Sequence, residues 1–192
     1  MEEFLSNTSP LSDRRRKKYA VVIFLPHSLS DIIAPLREQF DPLYSLVAPH
    51  VTVVFPFETN RPLDELTSLV KAETDKRMSF MIQLDTVGDF YPDSPIIYWN
   101  VKQNPQLSEL YYRLHASLGI PILYKHYSPH VTVAREISHH RVVIVKEKIA
   151  SYLADEKFYA GSIDLIAPLV DEKWVSVRTF PFKGFSADPP AV

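Results

Sequence analysis

"LYSLVAPHVTVVF" runs from Leu43 to Phe55 and "LYKHYSPHVTVAR" from Leu123 to Arg135, so Leu-Tyr-x-x-x-x-Pro-His-Val-Thr-Val is written twice, eighty residues apart. A chance recurrence of the five-letter core is expected in only about one chain in a hundred of this length. The repeat therefore calls for a structural or a chemical reason.

Working outward from the repeat, the surrounding elements recur as well. In the first copy, "KYAVVIFLP" (Lys18 to Pro26) reads as a strand and "SLSDIIAPLREQF" (Ser28 to Phe40) as a helix that Ser30 can cap and that Pro35 shortens or bends. "HVTVVF" is a strand, "PLDELTSLVKAETDK" (Pro62 to Lys76) an amphipathic helix, and "MSFMIQLDTVG" (Met78 to Gly88) an alternating strand. The second copy gives a strand at Pro95 to Lys102 and a helix at Pro105 to Gly119, stopped by Gly119 and Pro121. It continues with the strand "HVTVAR", a helix at His140 to Leu153 and a strand at Lys157 to Leu169. Lys173 to Phe182 adds a last strand. The expectation is an α+β protein of two duplicated lobes, with antiparallel sheets and flanking helices around a central cleft.

The chain has 192 residues and 46% hydrophobic residues, enough for one two-lobed domain over residues 18–183. Residues 1–17 read as a basic arm, with Arg14 to Lys18 solvated rather than committed to RNA, and residues 184–192 as a frayed tail. The net charge of −2 supplies no global field for a polyanion. With no cysteine, disulfides, thiolate nucleophiles and cysteine-based metal sites are excluded. No stretch has signal-peptide or membrane-spanning character, so a cytoplasmic protein without membrane association, and a monomer, is expected.

In a strand, residues two apart share a face, so His50 points with Thr52 and His130 with Thr132, while Val51, Val53, Val131 and Val133 point into the core. A lone histidine on a strand is more often structural than chemical. Two matched His-x-Thr pairs across one cleft are a general acid and base for displacement at phosphorus, with the threonine hydroxyls donating to non-bridging oxygens. Both histidines have the same sequence context, which assigns neither as acid or as base.

On these residues the chain resembles the 2H phosphoesterases, whose signature is two His-x-Thr/Ser-x-hydrophobic motifs about eighty residues apart; here they are "HVTV" at His50 to Val53 and at His130 to Val133. The resemblance covers Lys18 to Phe182. It implies a metal-independent enzyme, without cofactor, acting on 2′,3′-cyclic phosphates or 2′-5′ phosphodiester bonds of nucleotides or RNA ends. His50 and His130 would be the acid–base pair, and Thr52 and Thr132 the phosphate binders.

Further substrate contacts are sought in Arg135, Tyr127 and Phe57. Strict alternation turns Arg135 away from the histidines unless the strand ends before it. Phe24, Tyr98, Trp99 and Tyr124 are aromatic candidates for stacking a base, with core packing as their ordinary role. His126 and His130 have zinc-like spacing, with His139 and His140 close behind, but Pro129 argues against the helix such a site needs. His27 and His115 are expected at the surface or as helix caps. Two alternatives to the phosphoesterase remain: a nucleotide or RNA-end binding module without turnover, and a zinc hydrolase built on His126 and His130.

Overall fold

In the computed structural model, residues 16–122 and 127–184 are described. The N-terminal arm up to Asp13 and its Arg14 and Arg15, Tyr124, His126 and most of the C-terminal tail lie outside them. The element order is β1 (Lys17–Phe24), α1 (His27–Phe40), β2 (His50–Thr59), α2 (Leu63–Thr74), β3 (Phe80–Asp89), β4 (Ile97–Val101), α3 (Pro105–Leu118), β5 (His130–Ala134), α4 (Val142–Ala150), β6 (Glu156–Ala160), β7 (Ser162–Pro168) and β8 (Trp174–Pro181). A short 3-10 turn, His139–Arg141, precedes α4.

The fold is α+β, and its antiparallel strands join in one sheet ordered β6-β3-β4-β5-β2-β1-β7-β8. Two four-stranded lobes meet in the middle of that order, where β2 and β5 share a single residue pair, Val51 with Val131. Lobe A is β2-β1-β7-β8 and lobe B is β5-β4-β3-β6. The copies seen in the sequence are not the lobes. β3, from the first copy, pairs with β4 and β6, whereas β7, from the second, pairs with β1. The helices cross over too: α1 packs on β5 and α3 on β2.

This exchange explains why the strand expected over Lys157 to Leu169 is two strands. β6 finishes in lobe B, and after Gly161 alone the chain enters β7 in lobe A. A sheet whose first and seventh strands are one residue apart in sequence must be strongly curled.

Local chemistry sets both ends of α3. Asn104 caps α3 by accepting from the Leu107 amide at 3.1 Å, Pro105 opens it, and Gly119 ends it at φ 67°. Two expectations about α1 are corrected. Ser30 is not its cap, because the helix starts at His27 and the Ser30 hydroxyl donates to the Leu25 carbonyl at 3.4 Å. Pro35 does not shorten the helix, which runs fourteen residues; Pro35 lies on the exposed face, where water can take up the carbonyl it leaves free. The helix expected over His140 to Leu153 is confined to Val142–Ala150.

The main core lies between the sheet and the helices. Val21, Ile33, Val51, Leu66, Leu107, Leu110 and Val131 are all sealed from solvent. On the opposite, cleft-facing side of lobe A sits a separate small island of Ala20, Val22 and Ile166, covered by the partly buried Phe24, Val47 and Trp174.

Because each copy gives one strand to the other lobe, β3 from the first and β7 from the second, fragments cut in the β3–β4 connection should each remain unfolded alone. Mixing the two should restore helical circular dichroism and protected amides together; a stable native-like spectrum from either fragment alone would contradict the interlocked pairing.

Candidate active site

The single Val51–Val131 pair fixes the site. In an antiparallel pair, the residues flanking it fall opposite one another, so His50 faces Thr132 and Thr52 faces His130. Opposed side chains start about 5 Å apart and diagonal ones roughly 7–8 Å apart. The quartet thus has a histidine at each end of one diagonal and a threonine at each end of the other. All four line a cavity of about 970 Å³.

Both imidazoles are oriented in the same way. The ring nitrogen Nδ1 of His50 lies 2.7 Å from the Ala48 carbonyl, and that of His130 lies 2.8 Å from the Ser128 carbonyl. A carbonyl only accepts, so each Nδ1 carries its proton and donates, leaving Nε2 to face the cleft. The prolines of the repeat contribute here: Pro49 and Pro129 hold Ala48 and Ser128 extended, which turns those carbonyls toward the rings. The proline carbonyls are also used, accepting from Leu25 at 3.1 Å and from Val101 at 3.2 Å.

Their surroundings differ. The Phe24 ring meets His50 edge-on at 6.3 Å, whereas His130 is wedged against Phe90 at 4.9 Å and Tyr98 at 5.0 Å. Desolvation, helped by the nearby cations Arg37 and Arg135 and by His130, pushes His50 down to about 4. Desolvation also lowers His130, with Arg135 as its cationic neighbour. Both rings are therefore neutral at pH 7, and an anion placed between them would favour protonating one of them.

Arg135 does reach the cleft. β5 ends at Ala134, the Arg135 amide donates to the Phe40 carbonyl at 2.9 Å, and Glu136 takes φ 56°, so alternation stops before it applies to Arg135. Its Nε lies 3.2 Å from Asp41 Oδ1, outside hydrogen-bond geometry, and the guanidinium lines the cavity. Asp41 is buried and accepts from Arg37 Nε at 3.1 Å and Nη2 at 2.8 Å. The Leu43 amide also donates to it at 3.1 Å, and Arg37 Nη1 donates to the Val47 carbonyl at 2.9 Å. One carboxylate thus lies against two guanidiniums, of which that of Arg135 belongs to a cleft-lining residue.

The other candidates divide. Tyr127 lines the cavity, but its ring stacks on Tyr111 at 4.2 Å and its hydroxyl donates to the Thr52 carbonyl at 2.7 Å, so it braces β2. Phe57 packs on Tyr19 at 6.2 Å and is not among the residues lining the cleft; Phe55 is. Trp99 is wholly buried and donates to the Asp85 carbonyl at 2.9 Å. His115 is a core residue rather than a surface one, its Nδ1 2.8 Å from the Tyr111 carbonyl. Among the described residues, no group of three or more His, Asp or Glu stands close enough to hold a metal ion.

Sequence reasoning missed Arg37, Asp41, Phe90 and Trp174. The one signal for the first two was an Arg–Asp pair four apart at the end of a helix, a spacing that usually means a solvated ion pair.

The profile of the 2'-5' RNA ligase superfamily matches residues 25–172, and the chain belongs to that family. The likeness to the 2H phosphoesterases read from the two motifs is thereby upheld. A candidate phosphoesterase of Oceanobacillus iheyensis is 27% identical over 164 residues, covering 85% of this chain and 96% of that protein. One from Geobacillus thermodenitrificans is 32% identical over 121 residues, covering 62% and 70%. Among solved structures, Escherichia coli LigT complexed with 3'-AMP superposes with a TM-score of 0.65 at 18% identity, covering 88% of this chain and 99% of that one. TT0787 of Thermus thermophilus gives 0.61 at 17% identity, covering 87% and 98%. At these identities the superpositions establish the fold. No helix among the described residues is long and apolar enough to cross a membrane.

Two substitutions test the electrostatics. Asp41→Asn leaves a buried guanidinium without its counter-charge and should cost about 3 kcal/mol, read from urea unfolding. Arg135→Met removes a cation that lowers both imidazoles, so the NMR titration midpoints of His50 and His130 should both move up. Unmoved midpoints would mean that Arg135 does not face the rings.

Proposed function

We propose that this chain is a metal-independent phosphoesterase acting on 2′,3′-cyclic phosphate or 2′-5′ phosphodiester bonds of nucleotides or RNA ends, by histidine acid–base catalysis. The observation that carries this is the quartet: two Nε2 atoms and two threonine hydroxyls converge on one cavity from opposite strands. The solved complexes of LigT with 3'-AMP, with phosphate and with ATP support a nucleotide ligand for the fold.

Desolvation with the charges of Arg37 and Arg135 holds His50 neutral, and desolvation with Arg135 alone does so for His130, so His50 serves as the base, with His130 as the acid. In hydrolysis of a cyclic phosphate, His50 Nε2 takes a proton from water as the water oxygen bonds to phosphorus. The phosphorus bond to one ribose oxygen breaks, and that oxygen receives the proton from His130 Nε2. Thr52 and Thr132 donate to the non-bridging oxygens, and Arg135 balances their charge. With a second chain's ribose hydroxyl in place of water as nucleophile, the same groups in the same roles would join two ends.

The test is turnover of 2′,3′-cyclic nucleotides and 2′-5′ oligoadenylates in EDTA. Replacing either histidine with alanine should lower kcat about 10²- to 10⁴-fold, and replacing either threonine with valine about 10²-fold. The kcat/KM profile should be bell-shaped, with its acid limb near pH 4, set by His50, and its alkaline limb below 6.5, set by His130. The alkaline limb of kcat should lie higher, because the bound anion stabilises the imidazolium. Undiminished turnover in the double alanine variant, or its abolition by EDTA, would defeat the proposal; tight binding with no product would indicate a binding module.

A further inference from the structure

The lobes are alike in backbone but not in what covers their cleft faces. Beside Thr132, the cross-strand neighbour on β4 is Tyr98; beside Thr52, the corresponding neighbour on β1 is Val22. In lobe B, Tyr98 lies over Gly88, where a Cβ would come within 2.6 Å of its ring. Phe90 packs on Tyr98 at 4.4 Å, and both press on His130. Those rings fill lobe B's surface and are used in holding the imidazole.

In lobe A the matching surface is the apolar island of Ala20, Val22 and Ile166, separate from the main core. Its cover, Val47 and Trp174, lines the same cavity as Thr52. Backbone bonding builds this wall deliberately: the Trp174 amide donates to the Leu46 carbonyl at 2.7 Å, tying β8 to the connection between α1 and β2.

Charge divides the same way. Lobe B's rim bears Asp93 and Asp89, the latter paired with Lys146 at 2.8 Å. In lobe A, exposed Lys18 places its Nζ 5.7 Å from the centre of the Trp174 ring, and Lys173 adjoins that residue in a turn with Asp171 and Glu172. An anionic nucleotide held at the quartet meets Asp93 over lobe B, and over lobe A an indole that is already backed by the cation of Lys18.

Resting on the phosphoesterase reading above, we infer that lobe A is the nucleoside side of the cleft. Trp174, with Val47 and Leu43, forms the wall on which the base of the nucleotide stacks when its phosphate lies between the two His-x-Thr motifs. Stacking reads a π-face rather than an edge pattern, so this wall accepts purines and pyrimidines and prefers the larger purine.

The probes are 3'-AMP and inorganic phosphate, titrated against the full chain with tryptophan fluorescence as the signal. The only other tryptophan, Trp99, is sealed in the core, so quenching reports on Trp174. 3'-AMP should quench and phosphate should not. In Trp174→Ala, affinity for 3'-AMP should fall about tenfold while affinity for phosphate, measured by calorimetry, stays put. Trp174→Phe should keep most of the preference. Unchanged phosphate affinity also shows that the variant is folded.

An unaltered ratio of the two affinities in Trp174→Ala would overturn the inference. So would loss of the preference in Tyr91→Ala, on the lobe B rim, with Trp174→Ala unaffected. Phosphate binding that does not depend on His50 and His130 would be a different failure: it would bring down the phosphoesterase reading itself, and this subsite with it.

Discussion

One antiparallel residue pair, Val51 with Val131, governs this molecule. It is the only pairing between β2 and β5 and the seam between the lobes, and its two side chains are fully buried in the core. Since strand side chains alternate, burying those valines forces His50, Thr52, His130 and Thr132 onto the other face together. A register slip of one residue on either strand would bury a histidine and break the quartet. Stability and chemistry therefore rest on the same pair: the hydrophobic requirement of the core chooses the register that the cleft needs.

The cleft is kept electrically poised at some cost. Burial depresses both imidazoles, Arg135 adding to it at each ring and Arg37 at His50, and a pair of neighbouring guanidiniums is unfavourable by itself. Asp41 offsets this by accepting from Arg37 and lying beside Arg135. The outcome is a cleft in which Arg135 stands on the wall beside two neutral imidazoles, a local setting for the proposed anion that the weakly acidic chain as a whole does not supply.

Exchange of β3 and β7 between the lobes makes the duplication more than two copies side by side. Each lobe contains strands of both copies, and each helix α1 and α3 packs on the motif strand of the other copy. In the proposed reaction the symmetric part would hold the phosphate, and its asymmetries would tell the two ends of a substrate apart. Lobe B has rings packed around His130, while lobe A has small residues at the matching positions. Such divergence at cross-strand neighbours leaves the backbone intact, because Val22 and Tyr98 both suit a strand.

The sequence by itself determined the α+β class, the duplication, most element positions and the quartet. Local rules carry those: period-two alternation, proline and glycine at the ends of elements, and a motif repeated with little chance of coincidence. It did not determine that β3 and β7 exchange, since strand pairing is a long-range choice that periodicity does not encode. Nor did it reveal Asp41, whose role depends on burial among groups that three separate segments bring together, Arg37 on α1, Val47 before β2 and Arg135 after β5. Arg135 shows the boundary between the two most clearly. Alternation sends it away from the cleft, and only the tertiary structure, by ending β5 at Ala134 against the carbonyl of Phe40, turns it back.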